Sequence, residues 1–301
     1  MSRIAYVNGR YLPHGQAMVH IEDRGYQLAD GVYEVCEIRG GALIDATRHL
    51  ARLHRSLGEL RIAPPMSDAA LAVVLRETIR RNRVRDGMVY LQVTRGVAPR
   101  DHAFPDPPVK PSLVVTAKSL DVARGEASAV AGVSVVTVPE IRWGRVDIKT
   151  TALTANVLAK QAAREAGARE AWFVDVDGFV TEGASTNAWI VTPAGELVTR
   201  RADHHILGGV TRLTLMDVAR AEGLSVVERP FSVAEARAAR EAFLTAATTL
   251  VMPVIRIDGA PVGDGRPGPV ATRLRARFHT VAERSPAGPA GPLAEGPSPG
   301  I

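Results

Sequence analysis

Val32-Tyr33-Glu34-Val35-Cys36-Glu37-Ile38 alternates apolar and polar residues with period two, the spacing of a strand with one buried face. Gly40-Gly41 then turns the chain into Ala42-Leu43-Ile44, which predicts a hairpin. Ile4–Val7 and Arg10–Leu12 flank Asn8-Gly9, a dipeptide that suits a two-residue hairpin because both positions tolerate positive φ. Leu50, Leu53, Leu57 and Leu60 follow helical spacing and predict an amphipathic helix over 46–60. Leu71, Val74, Leu75 and Ile79 mark a second helix, with Ser67 or Asp68 as its N-cap. Met88–Thr94 and Leu113–Thr116 are apolar, strand-like runs.

The stretch from Lys118 to Ala131 is small and polar and contains Gly125, which predicts an interdomain linker, placed at 119–125. Beyond it the pattern predicts strands at 133–138, 171–175, 187–192, 225–229 and 241–246. Helices are predicted at 152–166, 210–221, after Ser232 and near 268–283, with a turn at Asp177-Gly178. Residues 285–301 are rich in Pro, Gly, Ser and Ala and predict a disordered tail. The pattern is that of an α+β chain with a domain over 1–118 and a larger one over 126–284, for which a cleft between domains is the default ligand site.

At 301 residues the chain has room for two moderate domains and needs no staples to bury a core. A single cysteine, Cys36, excludes an intramolecular disulfide and a cysteine-built metal site. The first fifteen residues lack the apolar stretch of a signal peptide, and no apolar run approaches the roughly 18 residues of a membrane span. A soluble, cytoplasmic protein is therefore expected. The formal charge of +5 raises the question of nucleic acid, but the arginines are interspersed with acids and aromatics are few, so no nucleic-acid partner is expected.

Four segments carry candidate chemistry. Only four of the 37 basic residues are lysine, at 110, 118, 149 and 160. Schiff-base chemistry needs a lysine, since arginine has no nucleophilic amine. Lys149, in Val146-Asp147-Ile148-Lys149-Thr150-Thr151, sits between a predicted strand and helix. Thr181-Glu182-Gly183-Ala184-Ser185-Thr186-Asn187 places an acid beside small residues that let backbone approach a ligand. Leu207-Gly208-Gly209-Val210-Thr211 leads glycines into a helix N-terminus, an arrangement that binds anions. Arg100 and His102, on a proline-containing loop, can clamp a carboxylate, although Arg100 could equally pair with Asp101 or Asp106. Taken singly, a surface lysine, an exposed turn, a helix cap and a solvated loop would account for these features.

Taken together, in order and spacing, DGVYE at 30–34, HLARL at 49–53, VTRG with PRDH within 93–102, DIKT at 147–150, TEGASTN at 181–187 and GGVTR at 208–212 resemble the fold-type IV aminotransferases over residues 3–283. The D-amino acid branch is the most similar. The resemblance implies a two-domain fold-type IV architecture, with a small N-terminal α/β domain, a larger C-terminal domain with a β-barrel-like core, and pyridoxal 5'-phosphate in the cleft between them. It implies a homodimer that exchanges amino groups between D-amino acids, such as D-alanine and D-glutamate, and 2-oxo acids such as 2-oxoglutarate, with no metal. By the same resemblance Lys149 is the Schiff-base lysine, Glu182 faces the pyridine nitrogen, and Arg52, Val210, Thr211 and Thr248 hold the phosphate. Leu207 packs on the ring, and Tyr33, Arg100 and His102 hold the substrate carboxylate. Ala184 and Ala247 stand where the branch more often has hydroxyl residues. A branched-chain aminotransferase, an (R)-amine transaminase and an aminodeoxychorismate lyase are rivals of the same fold. A noncatalytic cofactor-binding protein is a rival of another class.

Overall fold

The computed structural model describes residues 3–286, which fall into two compact units: residues 3–121 with 148–152 and 283–286, and residues 122–147 with 153–282. In the first unit β1 (Ile4–Val7) and β2 (Arg10–Pro13) form the predicted hairpin, with Asn8 and Gly9 both at positive φ (45° and 95°). A short α1 (Arg24–Leu28) precedes β3 (Gly31–Arg39), β4 (Ala42–Ile44), α2 (Ala46–Glu59), α3 (Asp68–Arg81), β5 (Gly87–Thr94) and β6 (Ser112–Ser119). β3, β5 and β6 pair antiparallel along their lengths. Leu50, Leu53 and Leu57 of α2 join Leu71, Val74, Leu75 and Ile79 of α3 and Val89, Leu91 and Val93 of β5 in one core. The helical and strand periodicities of the sequence therefore close on the same apolar interior. Ser67 caps α3, its side chain accepting from the Ala70 amide.

The second unit begins with α4 (Val122–Ala131) and β7 (Val133–Pro139). The linker expected at 119–125 is thus only residues 120–121 between β6 and α4. Alanine-rich VARGEASAVA has the propensity for helix, and Gly125 has nothing within 4 Å of its Cβ position, so it costs little packing there. After residues 148–152 come α5 (Thr154–Glu165), β8 (Glu170–Val174), β9 (Val180–Gly183), β10 (Asn187–Val191), β11 (Leu197–Thr199), α6 (Val210–Ala221), β12 (Val226–Glu228) and α7 (Val233–Ala238). β13 (Glu241–Ala246), β14 (Leu250–Ile257), β15 (Ala260–Pro261) and α8 (Pro269–Val281) complete this unit.

Its nine-stranded sheet runs β12-β11-β10-β13-β14-β7-β8-β9, with β15 on β14. Residues 184–186 carry the chain from β9, at one end, straight to β10, third from the other end. A three-residue connection spans only about 10 Å, so the sheet must curl, and the barrel-like core expected from the sequence is this open, curled sheet. Trp172, Val180, Ile190, Phe231, Leu244 and Met252 fill one of its cores.

Two segments return to the first unit. Residues 148–152 lie within the range expected for the large domain but pack with the small one. β16 (Arg284–Pro286) pairs antiparallel with β4 and completes a seven-stranded sheet, β16-β4-β3-β5-β6-β1-β2. Residues 285 and 286, expected in a disordered tail, are therefore strand, fixed by ladder pairing that composition does not reveal. The rest of that expected tail, 287–301, lies outside the described residues. Glu283 accepts from the Thr47 amide (3.2 Å) and hydroxyl (3.0 Å), and its carboxylate sits at the N-terminal end of α2 where the helix dipole favours it.

Candidate active site

In the first unit Lys149 is stitched to the start of β3. The Tyr33 amide donates to the Lys149 carbonyl (3.0 Å) and the Thr151 amide to the Gly31 carbonyl (3.0 Å), with Thr150 bridged to Val32. The Thr151 hydroxyl donates to the Ala29 carbonyl (3.0 Å), and the Lys149 amide donates to Ser56 Oγ (3.4 Å). The backbone is thereby fixed on both sides of a half-buried side chain. Lys149 Nζ lies 4.2 Å from the centroid of the Tyr33 ring, which stacks on Tyr90 at 5.6 Å. Burial, with Tyr33 adding to it, pushes the Tyr90 phenol up to about 12.

Glu34 follows Tyr33 along β3 and so faces the other side of the sheet. It is fully buried and accepts from Arg52 Nε (2.7 Å) and Nη2 (2.8 Å), with His49 Nδ1 at 2.8 Å. Burial pushes the Glu34 carboxyl up, but the Arg52 charge and hydrogen bonds, with those of His49, outweigh it and hold the group well below the usual carboxylate range. Arg52, read from the sequence as a phosphate ligand, thus commits two of its nitrogens to an internal carboxylate.

Arg100 and His102 are both exposed, and among the described residues neither side chain makes a hydrogen bond or ion pair. Their loop is braced from below instead. Buried Arg24 donates from Nη1 to the Asp101 carbonyl (2.6 Å) and from Nη2 to that of His102 (3.5 Å). Asp30 holds Arg24 Nε (2.8 Å) and forks with Arg95 (2.7 and 2.9 Å), whose guanidinium lies 3.7 Å from the Phe104 ring centroid. Burial raises the Asp30 carboxyl, but hydrogen bonds from Arg95 and Arg24 more than reverse this and keep it below the ordinary value.

In the second unit Glu182, on β9, is buried and multiply bonded. Arg142 Nη1 donates to Oε1 (2.5 Å), Asn187 Nδ2 to Oε2 (2.9 Å), and the Leu207 amide to both oxygens (3.2 and 3.1 Å). Asn187 also donates to the Leu207 carbonyl (2.9 Å) and pairs in register with Thr245, at the end of β13. A Cβ on Gly209 would stand 2.0 Å from Asn187 Oδ1, so only glycine lets the loop pass this close. Gly209 is the N-cap of α6, and Val210 and Thr211 form its buried first turn.

Asn187 therefore draws three features together: the Glu182 carboxylate, a helix N-terminus entered through glycines, and the turn at 247–249. The first two suit a protonated ring nitrogen and a phosphate respectively. At the turn Thr248 is exposed, while the neighbouring Thr249 hydroxyl is buried without a partner among the described residues, an orphan a bound phosphate would satisfy. The donor set fits pyridoxal phosphate. Gly209→Ala is expected to cost roughly 1–3 kcal/mol by overpacking, read as a lower denaturation midpoint.

Sequence reasoning missed Arg142, Glu140, Asn187, Glu34, His49, Arg24 and Asp30 as contributors. Asn187, Glu34, His49 and Asp30 stood inside quoted motifs, and the three-residue spacing of His49 and Arg52 already puts both on one helix face. Nothing local marks Arg142 or Arg24.

The amino-transferase class IV family model matches residues 31–257. The D-alanine aminotransferase of Staphylococcus haemolyticus is 38% identical over 279 residues, covering 92% of this chain and 97% of the relative. That of Bacillus licheniformis is 40% identical over 268 residues, 89% and 93% of the two chains. Among solved structures, the Escherichia coli branched-chain amino acid aminotransferase superposes with a TM-score of 0.85 at 23% identity, covering 93% of this chain and 95% of its own. The T.th. branched-chain amino acid aminotransferase, with pyridoxamine 5'-phosphate, gives 0.84 at 26% identity and 93% of both chains. The fold described above is thus the fold-type IV aminotransferase fold, and the chain belongs to the amino-transferase class IV family.

Proposed function

We propose that this protein is a pyridoxal-phosphate-dependent D-amino acid aminotransferase that passes the amino group of D-alanine to a 2-oxo acid such as 2-oxoglutarate. The observation that carries the reading is the meeting, around Asn187, of a buried, locked carboxylate with a glycine-entered helix N-terminus. The similarity to D-alanine aminotransferases over nine-tenths of the chain selects the substrate.

Bound pyridoxal phosphate supplies the electron sink for a substrate carbanion. Glu182 favours a proton on the ring nitrogen by its charge, and its three donors keep it in place. The first turn of α6, with Val210 and Thr211, holds the phosphate, helped by Arg52 and by Thr248 at the turn. Leu207 lies against the ring. Lys149 would hold the cofactor through its side-chain amine and would carry the proton at the substrate α-carbon. Tyr33, beside Lys149 Nζ, helps fix the side from which that proton is taken. Arg100 and His102 orient the substrate carboxylate, and the side it occupies sets the handedness. Arg100→Ala should raise KM for D-alanine by roughly 10- to 100-fold, the loss of a charge-assisted hydrogen bond, measured from initial rates.

A homodimer is part of this reading: Met18, Ile21 and Tyr26, within nine residues of chain, are each 75–76% exposed, more than isolated surface apolar residues need be. A cytoplasmic setting suits the lone, buried Cys36. The test is the visible spectrum of the holoenzyme. D-alanine should bleach the cofactor band and L-alanine should not, and pyruvate should form with 2-oxoglutarate. Bleaching by L-leucine alone would select the branched-chain reading that the structural neighbours favour.

A further inference from the structure

Arg142 is buried between two carboxylates. Besides its bond to Glu182, its Nε donates to Glu140 Oε1 (2.9 Å) and its Nη2 to Glu140 Oε2 (2.6 Å), while its backbone amide donates to Glu140 Oε1 (3.0 Å). The Thr181 hydroxyl, one residue before Glu182 on β9, donates to Glu140 Oε2 (2.8 Å). Arg142 Nη2 also reaches Thr181 Oγ1 (3.3 Å) and the His205 carbonyl (3.4 Å), and the guanidinium carbon lies 4.4 Å from the Phe173 ring centroid. Each of the three guanidinium nitrogens thereby carries at least one hydrogen bond.

A buried arginine on Glu182 alone would be self-defeating for a carboxylate that must favour positive charge on a ring: the pair would be neutral, and its field would largely cancel. With Glu140 forked onto the same guanidinium, the three side chains carry a net charge of −1. From this balance we infer that Glu140 is a positioning residue which, by engaging Arg142, leaves Glu182 the negative charge that keeps the cofactor's ring nitrogen protonated. The electrostatics agree. Burial pushes the Glu140 carboxyl up, yet Arg142 and Thr181 bring it below its ordinary value, and despite its own burial the Arg142 guanidinium is pushed up by both carboxylates.

The inference rests on the reading that Glu182 faces the ring nitrogen. Its test uses holoenzyme loaded with pyridoxal phosphate carrying 15N in the ring, with the 15N chemical shift followed against pH. Glu140→Gln should lower the midpoint of the ring-nitrogen titration by about one unit, as expected for removing one charge nearby. Glu140→Asp should restore most of it. Arg142→Gln should shift the midpoint upward, because both carboxylates then face the ring uncompensated. Opposite signs from two neighbouring lesions are not produced by loosened packing.

Glu182→Gln is the control. If it lowers the midpoint while Glu140→Gln leaves it unmoved, the role of Glu140 is overturned and the ring-nitrogen reading survives. If Glu182→Gln has no effect, the ring-nitrogen reading fails and the inference with it. Should Glu140→Gln not fold, Thr181→Val, which strips Glu140 of its hydroxyl donor, should give a smaller downward shift, and no shift there would equally overturn the proposal.

Discussion

Lys149→Ala should lower turnover of D-alanine with 2-oxoglutarate by roughly 10²–10⁴-fold, the range lost with a positioned proton-transfer group. It should also abolish covalent retention of the cofactor: after borohydride reduction and denaturation, the wild-type peptide around residue 149 should carry the pyridoxyl group and the variant none. The fold should survive. Lys149 is half-buried, its side chain lies over the Tyr33 ring, and the bonds that fix its segment are all main-chain at residue 149 itself. Glu182, Asn187 and the α6 N-terminus lie elsewhere in the chain, so the variant should still bind pyridoxal phosphate reversibly. A variant with wild-type turnover would remove Lys149 from the chemistry.

Glu34→Gln should cost roughly 3–5 kcal/mol of stability at pH 7, the penalty of stranding a buried cation, measured by urea denaturation. Arg52 and His49 both point at this one carboxylate. The pH dependence has a definite sign. Because the folded Glu34 carboxyl is held below its unfolded value, its contribution is fully present above the unfolded pKa of about 4.3. It is lost as pH falls through the lower folded value. The gap between wild type and Glu34→Gln should therefore be widest at neutral pH and narrow progressively in acid. A gap that held constant down to pH 3 would mean the ion pair contributes nothing through ionisation.

The elements legible in the sequence are those whose signal is local. The alternation of β3, the leucine spacing of α2 and the Asn8-Gly9 turn each encode their own geometry. β14 was missed because its apolar run, LVMPVIRI, contains Pro253, which argues against a strand inside a sheet. The structure accommodates it where β14 pairs Pro253 with Phe243 on one side, before its first pair with β7 at Val254. α1, β9 and β11 are too short to show a period.

Among the candidate residues, the scarcity of lysine made Lys149 conspicuous, and glycines marked the start of α6. The surroundings were not legible, because they are made of long-range pairs. Asn187 has a meaning only once Leu207, 20 residues downstream, is brought against it. Arg142 looks like any other arginine until it is found between Glu140 and Glu182. Arg24 gains its role only when the loop 77 residues downstream lies over it.

The route of the chain constrains its biosynthesis. The first sheet lacks its edge strand, and α2 its carboxylate partner, until Glu283 to Pro286 have been made. Its lysine arrives only after the intervening residues 122–147. A nascent chain released at residue 121 would hold most of the apolar residues of this unit but neither the 148–152 segment nor its closing strand, so the unit can be completed only after residue 286 has been synthesised.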